Sequence, residues 1–327
     1  MRIAITGSIA TDHLMTFPGR FAEQLLAKEL DHVSLSFLAD DLEVRRGGVA
    51  ANISYGLGLL KLHPLLVASA GTDFDDYRAW LDSNGVDTGQ VRVSTTRRTA
   101  RFICTTDEDH NQIATFYPGA MAEASMIDLT TCVRRAGGVQ LAVIGPDDPD
   151  AMIRHTTACR SMGLPFAADP SQQLARLGRA QARCLVDGAR YLFTNEYEAQ
   201  LLLERTGWTE DDVLRRVGMW LTTRGKRGVT LSTRGSAPRV VRAVATDTAL
   251  EPTGVGDAFR AGFLAGLAWR QPEEVAGRLG CAMATAALEA VGPQEYTMSP
   301  AQLRERTDRA YGPDAESARL LSGGPTR

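Results

Sequence analysis

Lysine is scarce in this 327-residue chain: Lys28, Lys61 and Lys226 are the only three, and the remaining positive charge is arginine. That bias reflects genomic base composition more than function. No charge excess exists either, since a formal net charge of -3 gives no general attraction to nucleic acid or to an anionic membrane. Cysteine is confined to residues 104, 132, 159, 184 and 281. An odd number without a Cys-x-x-Cys pair argues against a disulfide framework and for a reducing compartment. No stretch is apolar enough to span a bilayer, and the first residues read as a strand, without the charged and apolar regions of a signal peptide. A soluble, cytoplasmic protein is the expectation. Histidines 13, 32, 63, 110 and 155 lack ligand spacing, so no zinc site is implied. A Gly-x-Ser-x-Gly elbow for acyl transfer is absent. Arg224-Gly225-Lys226-Arg227 lacks the upstream Gly and the following Ser or Thr of a P-loop, and Gly56-Leu57-Gly58 lacks the third glycine of a dinucleotide fingerprint.

The chain does carry a regular alternation of elements. Strands are predicted over residues 2–6, 65–70, 139–145, 166–169 and 191–194, and helices over 49–62, 74–83, 149–162 and from 195 through about 216. This alternation argues for an α/β fold whose mainly parallel sheet is covered on both faces. Residues 229–232 and 239–242 read as a hairpin, helices follow from 257 to about 311, and 322–327 reads as a disordered tail. Two segments interrupt the pattern. Residues 11–45 show no helix–strand repeat, and 101–106 with 112–117 read as a hairpin around Asp107-Glu108-Asp109-His110-Asn111. Such a length suits one large α/β domain with a small appendage.

Glu251-Pro252-Thr253-Gly254-Val255-Gly256-Asp257-Ala258-Phe259 is the segment richest in chemistry. Pro252, Gly254 and Gly256 break regular structure, while Ala258, Phe259, Ala261, Phe263, Leu264 and Leu267 resume with helical spacing, so Asp257 falls near a helix N-terminus. Unpaired amides at Gly254, Val255 and Gly256, with the positive end of the helix dipole, form a site for an anion. A plain N-cap role for Asp257 is the alternative. Asn195 and Glu198, one turn apart after an apolar run, suit either a hydrated Mg2+ or an ordinary cap with an exposed Glu.

Gly47-Gly48-Val49-Ala50-Ala51-Asn52 early, Asn195-Glu196-Tyr197-Glu198 in the middle and Thr253-Gly254-Val255-Gly256-Asp257 late resemble the PfkB, or ribokinase-like, carbohydrate kinase family. Ile5 to His13, Ala168 to Leu174, and Phe102 with Phe116 narrow the likeness to the actinobacterial type of adenosine kinase, over most of the chain up to about Tyr296. The resemblance implies a ribokinase-like fold, with a kinase domain from residues 1–10, 46–98 and 119–321 and a discontinuous β lid from 11–45 and 99–118. It implies ATP-dependent phosphorylation of the adenosine 5′-hydroxyl to AMP, a step in purine salvage, with Asp257 as base and amides 254 to 256 as anion hole. Ser8, Asp12, Gly48 and Asn52 would contact the ribose, Phe102 and Phe116 the adenine face, and Gln172 and Gln173 the base edge. Asn195, Thr223, Gly225 and Gly228 would line ATP, with Glu198 on Mg2+ through water. It also implies a homodimer through the lids, with Ser36 or Phe37 reaching the neighbour's site. Glu251 stands where the family usually has Asp, which leaves potassium activation open, and Val255 replaces the usual Ala. A PfkB kinase for a free sugar or another nucleoside is the rival, and an idle nucleoside-binding relative the third possibility.

Overall fold

The computed structural model describes residues 1–24 and 36–313. Part of the expected lid, part of the end of the expected kinase domain, and the tail at 322–327 therefore lie outside the described residues. Its strands in chain order are β1 Ile3–Thr6, β2 Ala10–Thr16, β3 Asp41–Gly47, β4 Leu65–Val67, β5 Ser69–Ala70, β6 Arg92–Val93, β7 Ala100–Thr106, β8 Gln112–Tyr117, β9 Leu141–Ile144, β10 Phe166–Ala168, β11 Tyr191–Asn195, β12 Met219–Thr223, β13 Val229–Ser232 and β14 Arg239–Val241. Eight of them form one sheet in the order β14-β13-β12-β11-β10-β9-β1-β4. The pairs from β4 to β12 are parallel, and the β12-β13-β14 edge is antiparallel.

Short apolar runs such as Ile3-Ala4-Ile5-Thr6 become strands because both faces are covered and each residue is buried. Alternate side chains enter separate cores. Ile3 and Ile5 join the helices Val49–Leu59, Val255–Ala268 and Glu273–Leu288 on one side. Ala4, Ala142 and Leu192 join the helices Pro149–Ser161, Arg179–Val186 and Glu196–Thr206 on the other. This layering is that of an α/β fold whose mainly parallel sheet is covered on both faces. One expected strand is corrected: residues 65–70 divide, because β4 stays in the large sheet while β5 turns to pair with β6.

A second sheet, β3-β2-β7-β8, stands apart from the first. Its register sets Arg45, Asp12, Phe102 and Phe116 abreast across the four strands. Abreast residues share a face, so Asp12 and both phenylalanines point to the same side. The next row, Val44, His13, Ile103 and Thr115, points to the opposite side. Leu42 and Val44 alternate with charged residues as a strand should, yet no core receives them; they are 56% and 57% exposed. Phe37 packs against Phe17 and Phe21 of its own chain, with ring centroids 5.0 and 4.9 Å away.

Candidate active site

The chemistry-bearing residues gather where the parallel strands end. Ser8 follows β1, Asp169 follows β10, Asn195 closes β11 and Thr223 closes β12. At this rim the helix Val255–Ala268 begins, with Gly254 as its N-cap at φ 76°. That left-handed conformation suits glycine, and a Cβ there would lie 2.4 Å from Pro293 Cβ. Asp257 therefore occupies the first turn, half-buried. Val255 N–H donates to Pro252 O at 3.3 Å, a long bond that a phosphate oxygen can displace.

Asp257 is not a helix cap; its carboxylate is held from another segment. Asn52 Nδ2 donates to Asp257 Oδ2 at 2.8 Å. Burial raises the Asp257 pKa to about 7, with Asp169 and Glu198 pushing the same way and Arg260 and the Asn52 bond opposing. Arg260, one turn along the same helix, donates Nη2 to Asp169 Oδ1 at 2.6 Å, and its Nε lies 2.5 Å from Asp169 Oδ2. Both partners are buried. A carboxyl of raised pKa, a fixed cation and a helix N-terminus thus converge on one rim.

One end of the row of Arg45, Asp12, Phe102 and Phe116 on the smaller sheet reaches this rim. Arg45 bonds the Glu251 carboxylate at the foot of the glycine-lined loop, and burial, reinforced by Glu251 against the pull of Arg45, raises the Asp12 pKa to about 6. Because the Glu251 carboxylate is already matched by a guanidinium, it does not fit a potassium ion. Gly48, at φ 94°, caps the helix Val49–Leu59, and a Cβ there would meet Ala10 N and Ser8 O at 2.6 Å. This glycine is required by the backbone of β2, whatever substrate approaches. Ser8 is buried and its Oγ accepts from Val49 N–H at 3.1 Å, leaving its own hydroxyl proton for another acceptor. Gln173 is buried with Oε1 unpartnered, whereas Gln172 beside it is exposed.

On the nucleotide side, Asn195 and Glu198 form a reciprocal capping box, each accepting from the other's backbone N–H at 2.8 Å. The capping alternative holds for the backbone bonds, but its exposed Glu does not, since Glu198 is 9% exposed. Among the described residues, its Oε1 accepts only from Ser171 Oγ at 3.3 Å, which leaves it capacity for a further donor. No cluster of three acidic, His or Cys ligands exists among the described residues. Thr223 is half-buried with its hydroxyl 3.4 Å from Thr194 O. Gly225, at φ 54°, opens on free space, while a Cβ on Gly228 would strike Val241 O at 2.0 Å.

Residues 9–300 match the model of the pfkB family of carbohydrate kinases. The chain belongs to that family. A nucleoside kinase of Burkholderia thailandensis, solved in complex with inosine, shares its fold with a TM-score of 0.84 and 35% identity, over 96% of this chain and 99% of that one; it has also been solved with ADP and inosine. A nucleoside kinase of Methanothermobacter thermautotrophicus is 30% identical over 272 residues, 81% of this chain and 85% of the relative. An ATP-dependent ribose-1-phosphate kinase of Halopiger xanaduensis is 30% identical over 253 residues, 75% of this chain and 80% of the relative.

Several residues that build this PfkB kinase's site escaped the motif reading. Arg260 lies three positions after Asp257, the spacing that shares a helix face, and that signal was available. Its partner Asp169 gave none, because only folding brings β10 beneath the helix. Arg45 gave none either, since its partner Glu251 lies 206 positions away. No helix among the described residues is long and apolar enough to cross a membrane.

Proposed function

We propose that this kinase transfers the γ-phosphoryl group of ATP to the 5′-hydroxyl of a nucleoside, with adenosine as acceptor. The observation carrying this reading is the half-buried Asp257, aimed by Asn52 at the start of a glycine-lined helix and facing a lid row of Asp12, Phe102 and Phe116. Asp257 accepts the 5′-hydroxyl proton, the oxygen forms its bond to Pγ, and the bridging Pγ–O bond breaks with its electron pair leaving on ADP. A base with a pKa near 7 is matched to neutral operation. The amides of Gly254, Val255 and Gly256 receive the shifting phosphoryl charge, and Arg260 adds a fixed cation nearby. Mg2+, when bound, neutralises charge on the β and γ phosphates, and Glu198 would hold it through water beside Asn195, Thr223, Gly225 and Gly228.

Asp12 and Asn52 recognise ribose hydroxyls, Gln173 with its free carbonyl and Gln172 meet the base edge, and the two phenylalanine rings give the base a stacking surface. Binding of inosine by the Burkholderia protein supports a nucleoside acceptor. ADP release measured with adenosine, inosine, cytidine and ribose tests the reading. Adenosine should give the highest kcat/KM; a higher value for inosine or cytidine moves the assignment to that nucleoside, a higher value for ribose makes it a sugar kinase, and no release with any acceptor makes it a binding protein. Phe116→Leu should weaken adenosine binding by about 1 to 3 kcal/mol, the range for bases on aromatics, with the melting temperature nearly unchanged because Phe116 is 47% exposed. Equal losses for adenosine and ribose would remove the stacking role.

A homodimer through the lids is part of the proposal, supported by Leu42, Val44 and Ile113 exposed on the lid sheet. Val44→Glu should convert a sedimenting dimer to monomer; a wild-type monomer at high concentration would reject it. A cytoplasmic location is supported by all five cysteines being free.

A further inference from the structure

The base is gripped through a chain of amides with a fixed direction. Trp80 Nε1 donates to Gln294 Oε1 at 3.1 Å, and an indole nitrogen can only donate. The other end of that amide therefore points inward: Gln294 Nε2 donates to Asn52 Oδ1 at 2.9 Å. Asn52 is left with its NH2 toward Asp257. Gln294 Nε2 also lies 2.5 Å from the Tyr77 hydroxyl, which donates to Gly47 O at 2.8 Å. Asn52, Tyr77 and Gln294 are all buried, the last 1% exposed. A flip of either amide would set two donors or two acceptors face to face away from water, which buried groups do not tolerate.

We propose that Gln294 is a positioning residue for phosphoryl transfer, fixing Asn52 so that it offers an N–H, and never its carbonyl oxygen, to the Asp257 carboxylate. This rests on the reading of Asp257 as the base. An N–H favours the ionised carboxylate that accepts the proton, and the Asn52 bond is among the influences pulling Asp257 down from the value burial alone would give. The other charged or titratable groups facing Asp257 are Arg260 on its own helix, Asp169 beyond β10, Glu198 on the helix Glu196–Thr206, and the tyrosines Tyr77 and Tyr296.

Gln294→Glu keeps the shape and the acceptor for Trp80 but offers Asn52 no donor, so the Asn52 amide turns its carbonyl to Asp257. The acid limb of kcat should move up by about one pH unit or more, costing roughly tenfold in kcat near neutrality with partial recovery at pH 9 and a nucleoside KM altered less than about threefold. The added charge is separated from the relay by repeating the substitution in Asn52→Ala, where only the part of the shift due to the charge itself should remain; an undiminished shift there overturns the proposal. Gln294→Met, uncharged and similar in volume, should move the limb in the same direction and covers the case in which the Glu variant does not fold. Profiles of Gln294→Glu and Gln294→Met that superpose on wild type, with Asp257→Asn inactive, overturn the positioning role alone. Full turnover in Asp257→Asn overturns the base assignment, and the Gln294 role with it.

Discussion

Asp257→Asn is expected to lose about 10² to 10⁴ of turnover, the usual worth of general-base catalysis, while ATP and nucleoside binding persist. The amide keeps the shape and can still meet Asn52, but it cannot take the hydroxyl proton. Wild-type turnover should rise with pH through about 7, because activity needs the ionised carboxylate and burial raises its pKa to that value. The same shift has a consequence for stability. A carboxyl whose folded pKa is raised above its unfolded one stabilises the fold when protonated, and that contribution is lost as pH rises from the unfolded pKa through about 7. Asp257→Asn should therefore melt higher than wild type, with a gap wider at pH 8 than at pH 5. Under the proposed base role, the charge is held at a cost in stability. Scanning calorimetry at both pH values checks this, and turnover above about a tenth of wild type in a variant with normal nucleoside binding would reject the base.

Arg260→Met should give the largest loss of stability. Its guanidinium is 8% exposed and the paired Asp169 carboxylate 0%, so deletion leaves a buried charge without its partner, a change that typically costs about 3 to 5 kcal/mol. Burial already raises the Asp169 pKa, and Arg260 is the chief opposing influence. In the variant Asp169 should neutralise by protonation, making the loss smaller in mild acid than at pH 8. Asp169→Leu with Arg260→Met should recover much of the deficit, since an apolar pair of similar volume is often as stable as a buried ion pair. Activity should not return with it. Arg260 also lowers the Asp257 pKa, so both variants should show their acid limb above the wild-type one. Urea midpoints across that pH range decide the matter: a loss below about 1 kcal/mol for Arg260→Met would mean that water screens the pair.

Local rules made much of this protein legible. The alternation of apolar strand runs with helical periods determined the parallel sheet and its two helical layers, because period 2 and period 3.6 are properties of a few consecutive residues. Pro252, Gly254 and Gly256 determined where the helix carrying Asp257 begins, because turn conformations and missing side chains act within one turn. The hairpin of β7 and β8 could be read with its two phenylalanines on opposite arms. Their direct pairing, and the row they form with Asp12 and Arg45, needed the register of four strands from three separate segments. The setting of the base was likewise decided by tertiary structure. Asn52 and Asp257 are 205 positions apart, and Asn52 and Gln294 are 242 apart, so no periodicity connects them. Whether an asparagine amide shows its nitrogen or its oxygen depends on what is buried against its other end, and only the packed rim brings Gln294 and Trp80 there to decide it.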